Sequence, residues 1–113
     1  FECRINLEKY MILNFTRKKS NIHGWGLFAD IFIPNNTVIE ECTYIIATGH
    51  LPVNIHSHTF PNLNGKGLVI PKGYASLLNS SSIPNCKFTM DIEFLTISTI
   101  KDITAGEELT LLY

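Results

Sequence analysis

The feature that most constrains the fold is a succession of short β-prone segments, each cut off by Gly, Pro or Asn. Residues 11–16 and 26–33 are rich in branched and aromatic side chains, and Pro34, Asn35 and Asn36 close the second as a strong turn signal. Residues 37–47 form a third β-branched run, broken at its centre by Glu40 and Glu41, and residues 67–70 a fourth. Residues 87–90 and 93–101 have the form of a hairpin around Asp91, and residues 109–113 close the chain as a last strand. Only residues 74–78 look like a short helical turn. Strands of this length and spacing predict a mostly β domain.

Composition bounds the rest. A chain of 113 residues is expected to be one domain, 1–113, and a domain this size buries roughly two thirds of its unfolded surface. Hydrophobic content of 45% against 17% charged residues excludes a disordered chain. A net charge of −1 carries no nucleic-acid footprint, and no apolar run approaches the ~20 residues of a membrane-spanning helix, so neither partner is expected. Cys3, Cys42 and Cys86 are odd in number and widely spaced, which is neither a disulfide framework nor a zinc-binding pair. Three reduced, buried thiols are expected, and with them a cytoplasmic or nuclear location. Abundant Ile and Asn with little Ala fit an AT-rich coding sequence, as in some viruses or bacteria.

Several residues invite a chemical reading. Gly24 and Gly26 flank Trp25, so the backbone there can approach a ligand closely, and Arg17, Lys18 and Lys19 just before it can set a cation beside a carboxylate. On these residues alone a plain tight turn fits as well, and the third glycine of a dinucleotide fingerprint is missing. Asn79 sits in an apolar context and needs its amide satisfied, although a turn residue before the Ser80-Ser81-Ser82 run is an equal reading. That serine run lacks a G-x-S-x-G elbow. Glu107 and Glu108 are neighbours on an extended segment and point to opposite faces, so they cannot flank one substrate bond. Glu40 and Glu41 are expected on a solvated face, or one of them on a groove that attracts a basic peptide. His56 and His58 have no third ligand nearby at metal spacing, so no metal site is expected. His50, Pro52, Asn54, Pro61, Asn62 and Asn64 make the stretch around them an irregular surface segment, a common place for function.

Three strings give the chain a resemblance. They are Ser20-Asn21-Ile22-His23-Gly24-Trp25-Gly26-Leu27-Phe28-Ala29, then Asn79-Ser80-Ser81-Ser82-Ile83-Pro84-Asn85-Cys86, then Gly106-Glu107-Glu108-Leu109-Thr110-Leu111-Leu112-Tyr113. In this order they resemble the SET domain of protein lysine methyltransferases, over about residues 17–113. In size, and in Glu40-Glu41-Cys42, the chain is most similar to the small viral SET proteins. The second string matches the family pattern N-H-S-x-x-P-N-C except at Ser80, where the family usually has His.

The resemblance implies a β-clip fold of small curved sheets with a C-terminal pseudoknot, and a variable substrate-side insert at residues 48–65. It implies S-adenosylmethionine as cofactor, held by Lys19, His23, Gly24, Trp25, Gly26, Asn79, Ser80 and Tyr113. Tyr113 would be the catalytic hydroxyl at the lysine channel, with Tyr44 or Tyr74 as an aromatic channel wall. The family segment that covers the adenine and completes the channel follows the final Tyr, and the sequence ends at Tyr113. The implied reaction is methyl transfer to a lysine amine of a protein or peptide, with a homodimer expected from the viral relatives. Two other readings stay open: a SET-fold binding module with weak or lost catalysis, favoured by Ser80, and a different β-clip protein of the SAF type, suggested by residues 103–107.

Overall fold

The computed structural model describes residues 3–4, 15–47, 59–62, 65, 67–71 and 73–112. Among them lie β1 (Cys3–Arg4), β2 (Phe15–Lys19), β3 (Trp25–Ala29), β4 (Val38–Cys42), β5 (Tyr44–Ala47), β6 (Phe60–Pro61), β7 (Leu68–Pro71), a 3₁₀ turn (Tyr74–Leu77), β8 (Asn79–Ser80), β9 (Cys86–Met90), β10 (Leu95–Thr99) and β11 (Thr110–Leu111). The mostly β expectation holds. The strands build four small sheets: β1-β4-β10-β9, β5-β7-β6, β2-β3 and β11-β8. Three are antiparallel and β11 runs parallel to β8.

Alternation places the core. On β10, Leu95, Ile97 and Thr99 turn inward while Thr96 and Ser98 are only partly covered, the period-2 pattern of a strand with one buried face. Leu27, Ala29, Ile33, Ile39, Leu109 and Leu111 join Leu95 and Ile97 in one cluster. The hairpin around Asp91 forms as expected: its Oδ1 accepts the N–H groups of Glu93 (2.8 Å) and Phe94 (2.6 Å), a side chain imitating a backbone turn.

Three expectations are corrected. The run at residues 37–47 is two strands in different sheets, separated at Thr43. Glu40 is not on a solvated face: it is 3% exposed, and the Ala75 N–H donates to its Oε1 at 3.3 Å. The cause is a bulge, because Ile97 pairs with Glu40 and Ser98 with Val38, which leaves Ile39 as the extra residue. A bulge re-aims the strand, and consecutive Ile39 and Glu40 are both buried. The third correction concerns the thiols. Cys42 is disulfide-bonded, while Cys86 is free and buried. The β1–β4 ladder sets Cys3 opposite Cys42, a long-range pairing that residue spacing does not reveal.

The topology brings the three strings together. β3 has β2 on one edge and residues 106–109 on the other, through Gly106 N–H to Ala29 O (2.7 Å), Ala29 N–H to Glu107 O (2.9 Å) and Leu109 N–H to Leu27 O (2.8 Å). Immediately after this segment, β11 lies beside β8, with Thr110 opposite Asn79 and Leu111 opposite Ser80. Asn85 grips the same C-terminal segment from its side chain: its Nδ2 donates to Glu108 O at 2.8 Å and its Oδ1 accepts Thr110 N–H at 2.8 Å. Residues 108–111 therefore run between the first and second strings and are tied to both.

Candidate functional site

A cavity of about 440 Å³ lies where the strings meet, within the size range of small-molecule sites. One wall is Arg17 with the turn Ile22, His23, Gly24 and Trp25, and the other is Ser76, Leu77, Leu78, Asn79 and Ser80.

The first wall is a tight turn with its own fastening. Ser20 N–H donates to Gly24 O at 2.8 Å, and Gly24 has φ 45°, a left-handed conformation that glycine enters without penalty. Ser20 Oγ accepts the N–H groups of Ile22 (2.9 Å) and His23 (3.3 Å). Its own hydrogen goes to the Glu108 carboxylate, at 2.7 and 2.9 Å from the two oxygens. Glu108 Oε2 also accepts from Asn79 Nδ2 at 2.7 Å. The same Nδ2 reaches the carbonyls of His23 (3.0 Å) and Trp25 (3.2 Å). Asn79 thus ties the glycine turn to Glu108. A Cβ on Gly26 would overlap the Glu108 carboxylate and come within 3.2 Å of Asn79 Nδ2, so any larger residue there would have to displace the carboxylate.

At the open side, the Arg17 guanidinium lies 4.9 Å from the centre of the Trp25 ring, which is half exposed. A cation over an indole face is attracted by the ring quadrupole, and this contact draws Arg17 over the cavity. Lys18, on the other face of β2, sits 4.5 Å from the Phe28 ring centre.

The second wall rests on a buried carboxylate. Gly73 lies so close to Glu40 and Cys42 Sγ that a Cβ would overlap both, and the Glu40–Ala75 hydrogen bond anchors the 3₁₀ turn. Two nearby titrating groups have structural causes for their shifts. Burial pushes the Cys86 thiol up to about 12, which keeps it neutral and unreactive. Glu107 is held below its ordinary 4.5, first by the Thr104 N–H and then by the Thr104 hydroxyl.

Comparison with protein families matches residues 24–113 to the SET domain, most of the chain.

The chain belongs to the SET domain family.

This is a methyltransferase-type family whose members typically use S-adenosylmethionine. Among solved structures the fold is similar to a Plasmodium falciparum protein described as a "putative histone methyltransferase", with TM-score 0.73 over 91% of this chain and 95% of that one, at 23% identity. At that identity the likeness speaks for the SET fold alone. A search of curated proteins finds no significant match.

Within this SET domain, the residues named from sequence divide into groups. His23, Gly24, Trp25, Asn79 and Ser80 line the cavity, and Gly26 is buried behind it against Glu108 and Asn79. Lys19 ends β2 opposite Trp25 and is exposed, and Arg17 lines the cavity in its place. Tyr44 is engaged elsewhere: its hydroxyl donates to the Asp91 carbonyl at 2.8 Å, fixing β5 to the hairpin tip. Tyr74 opens the 3₁₀ turn next to the cavity. Tyr113, residues 48–58 of the insert and the His56–His58 pair lie outside the described residues. Among the described residues no cluster of His, Cys, Asp or Glu has metal-binding form, and no helix is long and apolar enough to cross a membrane. Arg17 was named from sequence, with Lys18 and Lys19, as a cation to set beside a carboxylate, whereas the roles of Ser20 and Glu108 were missed. Arg17, Ser20 and Glu108 lie in or beside the quoted strings, but only the fold shows what each side chain meets.

Proposed function

We propose that the chain is an S-adenosylmethionine-dependent protein-lysine N-methyltransferase. The observation that carries this reading is the closure of the glycine turn and Asn79–Ser80 around one cavity, in a SET domain.

The chemistry of the lining suits such a cofactor. Its amino-acid end carries an ammonium and a carboxylate, and the cavity offers an amide oxygen on Asn79 and a guanidinium on Arg17. Ile22, Trp25, Leu77 and Leu78 give apolar surface for a flat base. When bound, S-adenosylmethionine supplies an electrophilic methyl group on a cationic sulfur. Asn79 accepts from the ammonium, Arg17 pairs with the carboxylate, and the turn at residues 22–25 keeps solvent from one side. The receiving lysine must be neutral, against an ordinary pKa of about 10.4. An apolar channel favours the neutral amine by desolvation. In this proposal Tyr113 orients the amine, Tyr74 contributes to the channel wall, and residues 48–65 read the protein or peptide around the lysine.

The test is transfer of a labelled methyl group to candidate proteins, histones first. Label on a defined lysine, lost when that lysine is replaced by Arg, supports the reading. Cofactor binding without label on any protein tried would favour a SET-fold binding module, the reading to which Ser80 in the family's His position also points.

A further inference from the structure

Asn79 is surrounded by acceptors. Its Nδ2 faces Glu108 Oε2, His23 O and Trp25 O, three acceptors for two hydrogens. The opposite orientation would put the amide oxygen against three oxygens, so the nitrogen is bound to face them and Oδ1 is bound to face away. Among the described residues Oδ1 accepts no hydrogen bond, while Asn79 lines the cavity. The carbonyls of His23 and Trp25 are neutral acceptors at 3.0 and 3.2 Å. The charged partner is Glu108, and a hydrogen bond to an ionised acceptor is shorter and stronger than a neutral one. The 2.7 Å contact is the shortest of the three.

Glu108 also answers a second demand. Ser20 Oγ already accepts two N–H groups, so its hydrogen must be donated, and the carboxylate takes it. Two donors, from the turn and from β8, converge on one side chain with two acceptor oxygens. An amide in its place has one oxygen, and its NH₂ group must then face either Asn79 Nδ2 or a Ser20 hydroxyl whose lone pairs are spent.

We infer that Glu108 is the positioning residue of this cavity: its carboxylate fixes the Asn79 amide so that Oδ1 is presented to the ammonium of an amino-acid-bearing ligand. The assignment rests on the proposed cofactor, but the latch itself exists without any ligand. Glu108 touches no reacting atom and acts through Asn79.

Glu108→Gln tests it with two readouts. In the ligand-free protein, NMR should show the Asn79 side-chain N–H hydrogens exchanging slowly with water, and exchanging fast in the variant. Calorimetric titration with S-adenosylhomocysteine, the demethylated cofactor, should show binding about tenfold weaker in the variant at a melting temperature close to that of the wild type. A stability loss with unchanged affinity would make Glu108 a fold residue only and overturn the inference, as would unchanged Asn79 exchange. If the wild type itself fails to bind, the proposed cofactor is wrong, and the exchange measurement still decides the latch. Should Glu108→Gln fail to fold, Ser20→Ala removes one of the two donors. It should release the turn and weaken binding about threefold, and equal affinity and equal exchange would count against the latch.

Discussion

The two walls of the cavity are each braced by one glutamate, in opposite ways. Glu40 is buried, sits against Gly73 and Cys42 Sγ, and takes the backbone N–H of Ala75. Glu108 is only partly buried and takes side-chain donors from Ser20 and Asn79. A backbone donor in a dry place ties the brace to the fold, because a lost bond there leaves an orphaned buried group. Side-chain donors at a half-open cavity tie the brace to ligand geometry, because water can replace a lost partner while orientation is lost. The Glu40 wall should therefore report on stability, and the Glu108 wall on affinity.

Glu40→Ala should break the comparison hardest. It leaves the Ala75 N–H without its acceptor, at a cost of about 1–3 kcal/mol, and each kcal/mol lowers the melting temperature of a small domain by roughly 4–8 °C. A thermal melt checks it, and an unchanged melting temperature would place the second wall's support elsewhere. Asn79→Ala should show the opposite profile, with S-adenosylhomocysteine binding weakened about 5- to 150-fold for a lost polar contact of ~1–3 kcal/mol. Gly26→Ala sharpens the contrast, since its Cβ displaces the Glu108 carboxylate. A displaced carboxylate frees Asn79, so affinity should fall several-fold by titration, with a stability cost near the ~1 kcal/mol lower end of overpacking. Arg17→Ala should be milder, about 1.5- to 5-fold in affinity, because an exposed ion pair is worth roughly 0.2–1 kcal/mol.

The smallest effect is one of pH. The Thr104 bonds hold Glu107 below 4.5, so their contribution is present above that value and is lost as pH falls through the lowered folded value. Glu107→Gln should lower stability slightly at neutral pH and leave the acid end of the curve unchanged, so that the acid limb becomes shallower. An identical acid limb in the variant would place the acid sensitivity in other carboxylates.

The sequence carried much of this, unevenly. The hairpin at Asp91 was legible because a local side chain makes the turn. The glycine turn and Asn79 were legible as family strings, and five of the residues named from them line one cavity. What was hidden depends on distant pairing. A one-residue bulge opposite Ile97 turned Glu40 inward, and nothing in residues 37–47 announces a bulge. The choice of Arg17 over Lys19 depends on where the Trp25 ring lies relative to two cations on the same face of β2. Glu108 was legible only as half of an adjacent carboxylate pair, because its partners are 88 and 29 positions away. β8 is two residues long and exists only because β11 runs beside it.

The most direct measurement is a calorimetric titration of S-adenosylhomocysteine into the wild-type chain and into Asn79→Ala. The wild type should bind saturably, and the variant should bind at least several-fold more weakly. Equal binding by both proteins, or no binding to the wild type at millimolar ligand, would contradict the claim that the glycine turn and Asn79 form the cofactor site.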